Sequence, residues 1–233
     1  MKRLFPVLVL LLTASNALAT EGVVLLHGLS RSSASLEKIE DALKTAGYVV
    51  VNEDYPSRTA SIAQLSQQAI DASLADPRLA DCTKIHFVTH SLGGILVRDY
   101  LSRQSIPKLG RVVMLGPPNN GSEVSDRLKD WSLYQWASGP AGQELGTDAG
   151  STPRRLGRVD FELGVIAGDR SINWINSLMI PGPDDGKVSV KNSSAAGMKE
   201  HLVVHATHPM MMRNSTVISA SLRFLKTGTF RPN

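Results

Sequence analysis

The chain has 233 residues, a formal net charge of +4 and a single cysteine, Cys82. A chain of this length forms one well-filled domain and is too short for two domains of ordinary size, and one cysteine excludes an internal disulfide. No nucleic-acid partner is expected, because the densest basic cluster, at residues 154–158, has no interleaved aromatic residues.

The first 19 residues have the pattern of a secretory signal peptide. Two basic residues are followed by an apolar run over residues 4–12, and Ala17-Leu18-Ala19 matches the small-x-small cleavage pattern. The apolar run is too short to span a bilayer. The sequence therefore predicts an exported protein, periplasmic or secreted, with residues 1–19 removed and residues 20–233 forming the domain.

Apolar strand-like runs alternate with amphipathic stretches along the rest of the chain. The predicted strands cover residues 22–26, 48–52, 85–89, 111–115, 161–167 and 202–205. The predicted helices cover residues 32–46, 61–75, 95–100, 171–178 and 210–226. This alternation predicts an α/β fold with an open, mostly parallel sheet of about six strands and helices on both faces. Residues 119–160 are the least regular part and are short for a large lid, so the cap is predicted to be small or absent.

Ser91 lies at the turn between the third predicted strand and the helix that follows it. Gly93 and Gly94 come directly after this turn, as needed where the backbones of a strand and a helix approach closely. This is the setting of the nucleophile elbow, although Thr89 stands where G-x-S-x-G has its first glycine. The pattern predicts Ser91 as a nucleophile. A plain strand-to-helix turn without chemistry is the alternative.

Several histidines could serve as the base for such a serine. Active sites in open parallel sheets form beyond the carboxyl ends of the strands, so residues just past strand ends are the candidates. His208 comes just after the sixth predicted strand and is favoured, and His205, placed inside that strand, is the second candidate. His90 is adjacent to Ser91, but its side chain is expected to point away from that hydroxyl and to make a structural hydrogen bond.

Three aspartates are candidates for the acid that orients the histidine. Asp169 directly follows the fifth predicted strand, where topology places such an acid. Asp184 and Asp185 lie further along in a loop, where Gly186 permits a tight turn. An aspartate in any of these places also commonly serves only to form the turn, so the residue pattern leaves the three open.

The oxyanion that forms during acyl transfer needs hydrogen-bond donors. In a site of this kind they are main-chain N–H groups from the residue after the nucleophile and from the loop after an earlier strand. Leu92 follows Ser91, and Leu29 lies in the loop after the first predicted strand. The sequence therefore predicts an oxyanion hole formed by the amides of Leu29 and Leu92.

Together these segments resemble the α/β-hydrolase superfamily, and within it the bacterial lipase and esterase branch. The motifs that carry the resemblance are Leu26-His27-Gly28-Leu29, Thr89-His90-Ser91-Leu92-Gly93-Gly94, Asp185-Gly186-Lys187-Val188 and Ala206-Thr207-His208. The resemblance implies Ser91 as nucleophile, His208 as base and Asp185 as acid, the last because of its D-G-x-V context. It also implies an acyl-enzyme route that needs neither metal nor cofactor. Two early strands of larger members are missing.

The expected activity is hydrolysis of carboxylic esters by an esterase or a small lipase. The expected partners are a small-molecule ester or lipid substrate and, transiently, a membrane or lipid surface. Trp131, Leu133, Tyr134 and Trp136 either wall an acyl pocket or pack their segment onto the sheet. An amidase or thioesterase on cell-envelope or lipid-linked substrates is an alternative function, and a non-catalytic lipid-binding or chaperone protein is another.

Overall fold

The computed structural model describes residues 20–232, so the predicted signal peptide lies outside the described residues. Six strands form one sheet in the order β2-β1-β3-β4-β5-β6, and every neighbouring pair is parallel. The strands are β1 (Glu21–Leu26), β2 (Val49–Glu53), β3 (Lys84–His90), β4 (Leu109–Leu115), β5 (Leu163–Gly168) and β6 (Glu200–Val204). The predicted open parallel sheet of about six strands is confirmed.

Helices follow most strands and cover both faces of the sheet. The α-helices are α1 (Glu37–Thr45), α2 (Ile62–Leu74), α3 (Leu92–Leu101), α4 (Glu123–Leu128), α5 (Ser132–Gln143), α6 (Thr152–Arg155), α7 (Trp174–Ser177), α8 (Val190–Ser193) and α9 (Ser215–Thr227). Short 3-10 turns cover Ser33–Leu36, Pro77–Leu79 and His208–Arg213. α2 begins where predicted because Ser61 and Gln64 form a capping box, which satisfies two amides at the helix start.

The core consists of two apolar layers, one on each face of the sheet. α1 and α9 pack on one face beside Val23 and Leu25, whereas α2 and α3 pack on the other face beside Val24 and Leu26. All four of these β1 side chains are fully buried. The continuous apolar run of β1 is therefore explained by burial of successive side chains on opposite faces.

Several boundaries differ from the predicted ones: α1 begins at Glu37 after a 3-10 turn, α3 begins three residues earlier than predicted, and two elements near the end of the chain are shifted. β6 is shifted towards the N-terminus of its predicted range, so His201 lies inside it and His205 directly follows it. The segment predicted as the last helix is divided in two. Its first part belongs to the 3-10 turn His208–Arg213, and α9 begins only after Asn214, which caps it. The side-chain oxygen of Asn214 accepts hydrogen bonds from two amides of the first turn of α9.

Because all six strands run in the same direction, their carboxyl ends meet at one edge of the sheet. The loops after β1, β3, β4, β5 and β6 meet above this edge, and α4 and α5 lie over it as a small cap. In the part of the chain from residue 20 to 232, no helix is long and apolar enough to cross a membrane. The candidate catalytic residues predicted from the sequence are expected at this edge, because sites in open parallel sheets form beyond the carboxyl ends of the strands.

Candidate active site

Ser91 occupies a strained turn between β3 and α3. Its backbone angles are φ 52° and ψ −118°, and within residues 20–232 the only other non-glycine residue with positive φ is Ser30. A side chain held in this region costs free energy and marks candidate functional positions. The turn depends on Gly93, because a Cβ there would lie 2.5 Å from the backbone oxygen of Leu26 in β1.

A cavity of about 360 Å³ opens beside this turn. Ser91, His208 and Leu29 all line it, and α4, α5 and the loop after α5 supply much of the opposite wall. His208 is buried, whereas Ser91 is partly exposed towards the cavity. The structure thus brings the predicted nucleophile, the predicted base and one predicted oxyanion donor to a single cavity.

His208 is held by Asp185 through a buried contact. The imidazole Nδ1 lies 2.7 Å from Asp185 Oδ2, and the amide of His208 donates to the Asp185 carbonyl oxygen at 2.9 Å. Since an ionised carboxylate only accepts, this contact places the ring proton on Nδ1 and leaves Nε2 unprotonated. Among the described residues the His208 side chain makes its hydrogen bond through Nδ1 alone, so Nε2 is available to accept a proton.

The loop around Asp185 explains why the D-G-x-V pattern suits this role. Asp185 Oδ1 accepts hydrogen bonds from the amides of Lys187 and Val188 at 3.0 and 2.9 Å, which leaves Oδ2 for the imidazole. Gly186 adopts φ 97°, a conformation that favours glycine. The two amides of the turn therefore fix the carboxylate in place before it contacts His208.

The other acid and base candidates also meet, but away from the cavity. His205 Nδ1 lies 2.9 Å from Asp169 Oδ1, and the His205 side chain is 72% exposed. Neither of these residues lines the cavity that contains Ser91. Asp184 instead holds its own turn, since its Oδ1 accepts from Ser177 Oγ and from a backbone amide two residues on.

The predicted oxyanion donors lie on the two loops that meet at Ser91. The N–H of Leu92 opens α3 and so has no acceptor inside the helix, and the N–H of Leu29 donates to no acceptor within residues 20–232. The two loops are in direct contact, because a Cβ on Gly28 would lie 3.2 Å from the Ser91 Cβ. Two free amides are therefore available beside the serine.

His90 connects the turn at Ser91 to the loop that carries His208. The sequence predicted a structural hydrogen bond for His90 but did not specify its partner. Its Nε2 lies 3.1 Å from the carbonyl oxygen of His208, and the two imidazole centroids are 4.6 Å apart. The carbonyl can only accept, so Nε2 carries the proton and the buried Nδ1 has no partner in the described structure. Burial, followed by repulsion from His208, holds the pKa of His90 well below its usual value.

A neutral, buried His90 predicts that the fold loses stability in mild acid. The unfolded chain binds a proton near pH 6.5 whereas folded His90 does not, so the free energy of unfolding falls as the pH drops below about 6.5. Between pH 7 and pH 5 this one histidine contributes a loss of at most about 2 kcal/mol, the limit set by the ordinary pKa of the unfolded chain. Urea unfolding followed by circular dichroism at both pH values measures the loss.

The matched variant for this prediction is His90→Gln, whose amide can still donate to the His208 carbonyl oxygen but does not titrate. We expect the difference in the free energy of unfolding between the two pH values to be smaller in this variant, by the share that His90 contributes. His27, His86 and His201 also have pKa values lowered by burial and contribute to the dependence that remains. An unchanged pH dependence in His90→Gln would contradict the assignment.

The metal-binding potential of the site is limited. Across residues 20–232, no group of three or more histidine, cysteine, aspartate or glutamate side chains is arranged to hold a metal ion. The single cysteine, Cys82, is buried and unpaired before β3, at the end of that strand opposite Ser91.

The sheet order, the turn at Ser91 and the cavity at the carboxyl edge define an α/β hydrolase. The family model described as the alpha/beta hydrolase family matches residues 23–216, and the chain therefore belongs to this family. A search of the curated proteins by sequence returned no match.

Solved structures with the same fold include bacterial and archaeal lipolytic enzymes. The mature lipase BlEst2 from Bacillus licheniformis superimposes with a TM-score of 0.66 at 19% identity, covering 91% of this chain and 93% of that one. The esterase Pf2001 from Pyrococcus furiosus gives 0.60 at 17% identity, covering 89% and 83%. The phospholipase PlaB from Legionella pneumophila gives 0.60 at 19% identity, covering 75% of this chain and 46% of that one. At these identities the likeness establishes the shared fold.

Proposed function

We propose that the protein hydrolyses carboxylic esters, as an esterase or small lipase, through an acyl-enzyme on Ser91. The observation that carries the proposal is the buried His208–Asp185 pair at 2.7 Å, in the same cavity as a serine held at φ 52°. A histidine oriented by a carboxylate next to a serine on a strained turn is the arrangement required for nucleophilic catalysis.

In the first half of the reaction, Ser91 Oγ attacks the ester carbonyl carbon while His208 Nε2 takes the hydroxyl proton. Asp185 stays ionised and holds the imidazolium through Nδ1–H. The amides of Leu29 and Leu92 donate to the negative oxygen of the tetrahedral intermediate. When the intermediate collapses, the bond to the alcohol oxygen breaks and His208 returns its proton to the departing alcohol.

In the second half, water enters the cavity and attacks the acyl carbon of the ester on Ser91. His208 takes a proton from this water and then passes it to Ser91 Oγ as the acid leaves. The reaction therefore consumes one ester and one water and yields one alcohol and one carboxylic acid. It needs no oxidant and no group outside the chain.

The cavity supports small or medium substrates. Its volume of about 360 Å³ is at the lower end of the range for small-molecule sites. Leu29, Val124, Leu145 and Val188 contribute apolar wall, which suits an acyl chain next to the reacting carbonyl. Amide and thioester hydrolysis require the same residues and are the alternative reactions.

We also propose that the protein is exported, as its first 19 residues predict.

A fluorophosphonate probe tests the proposal directly, because it forms a stable bond only with an activated serine. We expect the probe to label Ser91, identified by peptide mass spectrometry, and to abolish hydrolysis of p-nitrophenyl butyrate at the same rate. The acyl amide and acyl thioester of the same chain length, tested in parallel, distinguish the alternatives. Absence of labelling together with absence of turnover on all three substrates would favour a non-catalytic protein.

A further inference from the structure

The exposed large apolar side chains of the described residues are concentrated in two short segments. Seven of the nine lie in residues 131–136 and 172–178. We call these seven the apolar rim: Trp131, Leu133, Trp136, Ile172, Trp174, Ile175 and Leu178. Water contact is unfavourable for so much apolar surface, and large exposed patches commonly mark an interaction site.

Both segments adjoin the cavity that contains Ser91. Tyr134, on the same helix as two rim residues, lines the cavity wall. The segment with α7 is tied to the Asp185 loop, since Asn176 Nδ2 donates to the Gly186 carbonyl oxygen at 2.9 Å. The next residue, Lys187, also lines the cavity. One segment of the apolar rim therefore shares a helix with the cavity wall, and the other is hydrogen-bonded to a loop that forms part of that wall.

Helical spacing directs the apolar side chains of each segment outwards together. Leu133 and Trp136 are three residues apart in α5, and Trp174 and Leu178 are four apart at α7, so each pair shares one helix face. The three tryptophans are 65%, 74% and 71% exposed. They are the only tryptophans in the chain. Tryptophan is the side chain most favoured at the boundary between lipid and water.

Free cations accompany the rim. Arg127 and Lys129 precede Trp131, and Arg170 precedes Ile172; all three are exposed, and none forms a salt bridge within residues 20–232. The exposed carboxylate of Asp130, between Lys129 and Trp131, is likewise without a salt bridge there, so the unpaired charge of these four residues is net positive. Basic residues beside an apolar surface attract anionic lipid headgroups. A second copy of the chain would place two surfaces of the same net positive charge against each other, so the charge distribution favours an anionic lipid surface as the occupant.

We propose that the apolar rim docks the protein onto an anionic phospholipid surface, with the cavity mouth facing the lipid. The site then receives acyl esters from the surface rather than from bulk water, and this consequence for the substrate rests on the proposed ester hydrolysis. The docking itself depends only on the rim and can be measured without turnover.

The tryptophans provide a direct measurement, because their fluorescence reports on the rim alone. The purified full chain is mixed with vesicles of phosphatidylcholine and phosphatidylglycerol whose acyl chains carry bromine, a short-range quencher. We expect the fluorescence to be quenched, and less so on vesicles of phosphatidylcholine alone. The Ser91→Ala variant is expected to show the same quenching, which separates docking from catalysis.

The double variant Leu133→Ser/Leu178→Ser keeps all three tryptophans and tests the rim. We expect its apparent affinity for the vesicles to be about tenfold lower or more, because two apolar side chains are lost from the contact. Val203→Ser, which alters an exposed apolar residue on β6 outside the rim, is the matched control and is expected to match the native affinity.

Four results would overturn the proposal. Protein that sediments with vesicles while its fluorescence is unquenched would be bound through another part of the chain. Absence of binding, or full binding by the double variant, would exclude the rim as a lipid-docking surface. A native dimer that becomes a monomer in the double variant, without quenching, would show that a second copy covers the rim. Quenching without ester turnover would contradict only the proposed function.

Discussion

Replacing Ser91 by alanine is expected to lower kcat for a soluble p-nitrophenyl ester by a factor on the order of 10⁴ to 10⁶. The reason is that the only oxygen able to form the acyl-enzyme is removed, so the residual rate comes from binding and from the amides of Leu29 and Leu92. KM is expected to change little, because the hydroxyl contributes to the transition state more than to ground-state binding. Steady-state kinetics on p-nitrophenyl butyrate measure both parameters.

The fold is expected to survive this substitution. Alanine at position 91 meets the same backbone strain at φ 52° as serine does, and only one oxygen is lost from a partly exposed side chain. The matched control is Ser102→Ala, the same change at the exposed far end of α3. The control is expected to keep the native kcat. A Ser91→Ala enzyme with more than a tenth of native kcat would contradict the assignment of Ser91 as nucleophile.

The fold was predictable because its signals are local. β1 is apolar at successive positions, a pattern that follows from burial of both sheet faces, and Ser61 with Gln64 marks the start of α2 as a capping box. The elbow was predictable for a similar reason. Only glycine fits at position 93, because a Cβ there would lie 2.5 Å from the Leu26 backbone oxygen in β1, and that requirement appears directly in the sequence.

The choice of acid and base could not be made from local signals alone. Two histidines and two aspartates follow strand ends, and the structure joins them as two separate pairs, His208–Asp185 and His205–Asp169. Only His208 of the first pair lines the cavity with Ser91, and neither member of the second pair does. Which pair reaches the cavity depends on how the loops after β5 and β6 fold over the sheet. Sequence spacing carries no direct information about this folding.

The role of the aromatic cluster in the cap could not be decided from the sequence either, because it depends on how the cap packs over the sheet. Tyr134 lines the cavity and its hydroxyl lies 2.8 Å from Ser125 Oγ, whereas Trp131, Leu133 and Trp136 are exposed. The sequence offered two alternatives, a pocket wall or packing on the sheet, and neither describes the whole cluster. Helical geometry divides it, because neighbouring residues on a helix point in directions about 100° apart.

Replacing Asp185 by asparagine is the sharpest test of the acid. We expect kcat for the soluble ester to fall by about 10⁴-fold with little change in KM. An asparagine can keep one oxygen for the amides of Lys187 and Val188, so the loop is expected to stay folded. Its amide nitrogen, however, would donate to His208 Nδ1 and shift the ring proton to Nε2, where it blocks proton transfer from Ser91.

Asp169→Asn makes the identical change in the other histidine–aspartate pair and is the matched control. Because His205 is 72% exposed and this pair lies outside the cavity, we expect kcat within about threefold of the native value. A large loss in Asp169→Asn with a small one in Asp185→Asn would make Asp169 the acid and His205 the base. That result would require the loops after β5 and β6 to rearrange, since the described arrangement keeps the exposed pair away from Ser91. The two single-atom replacements therefore test the catalytic assignment and the loop geometry in the same measurement.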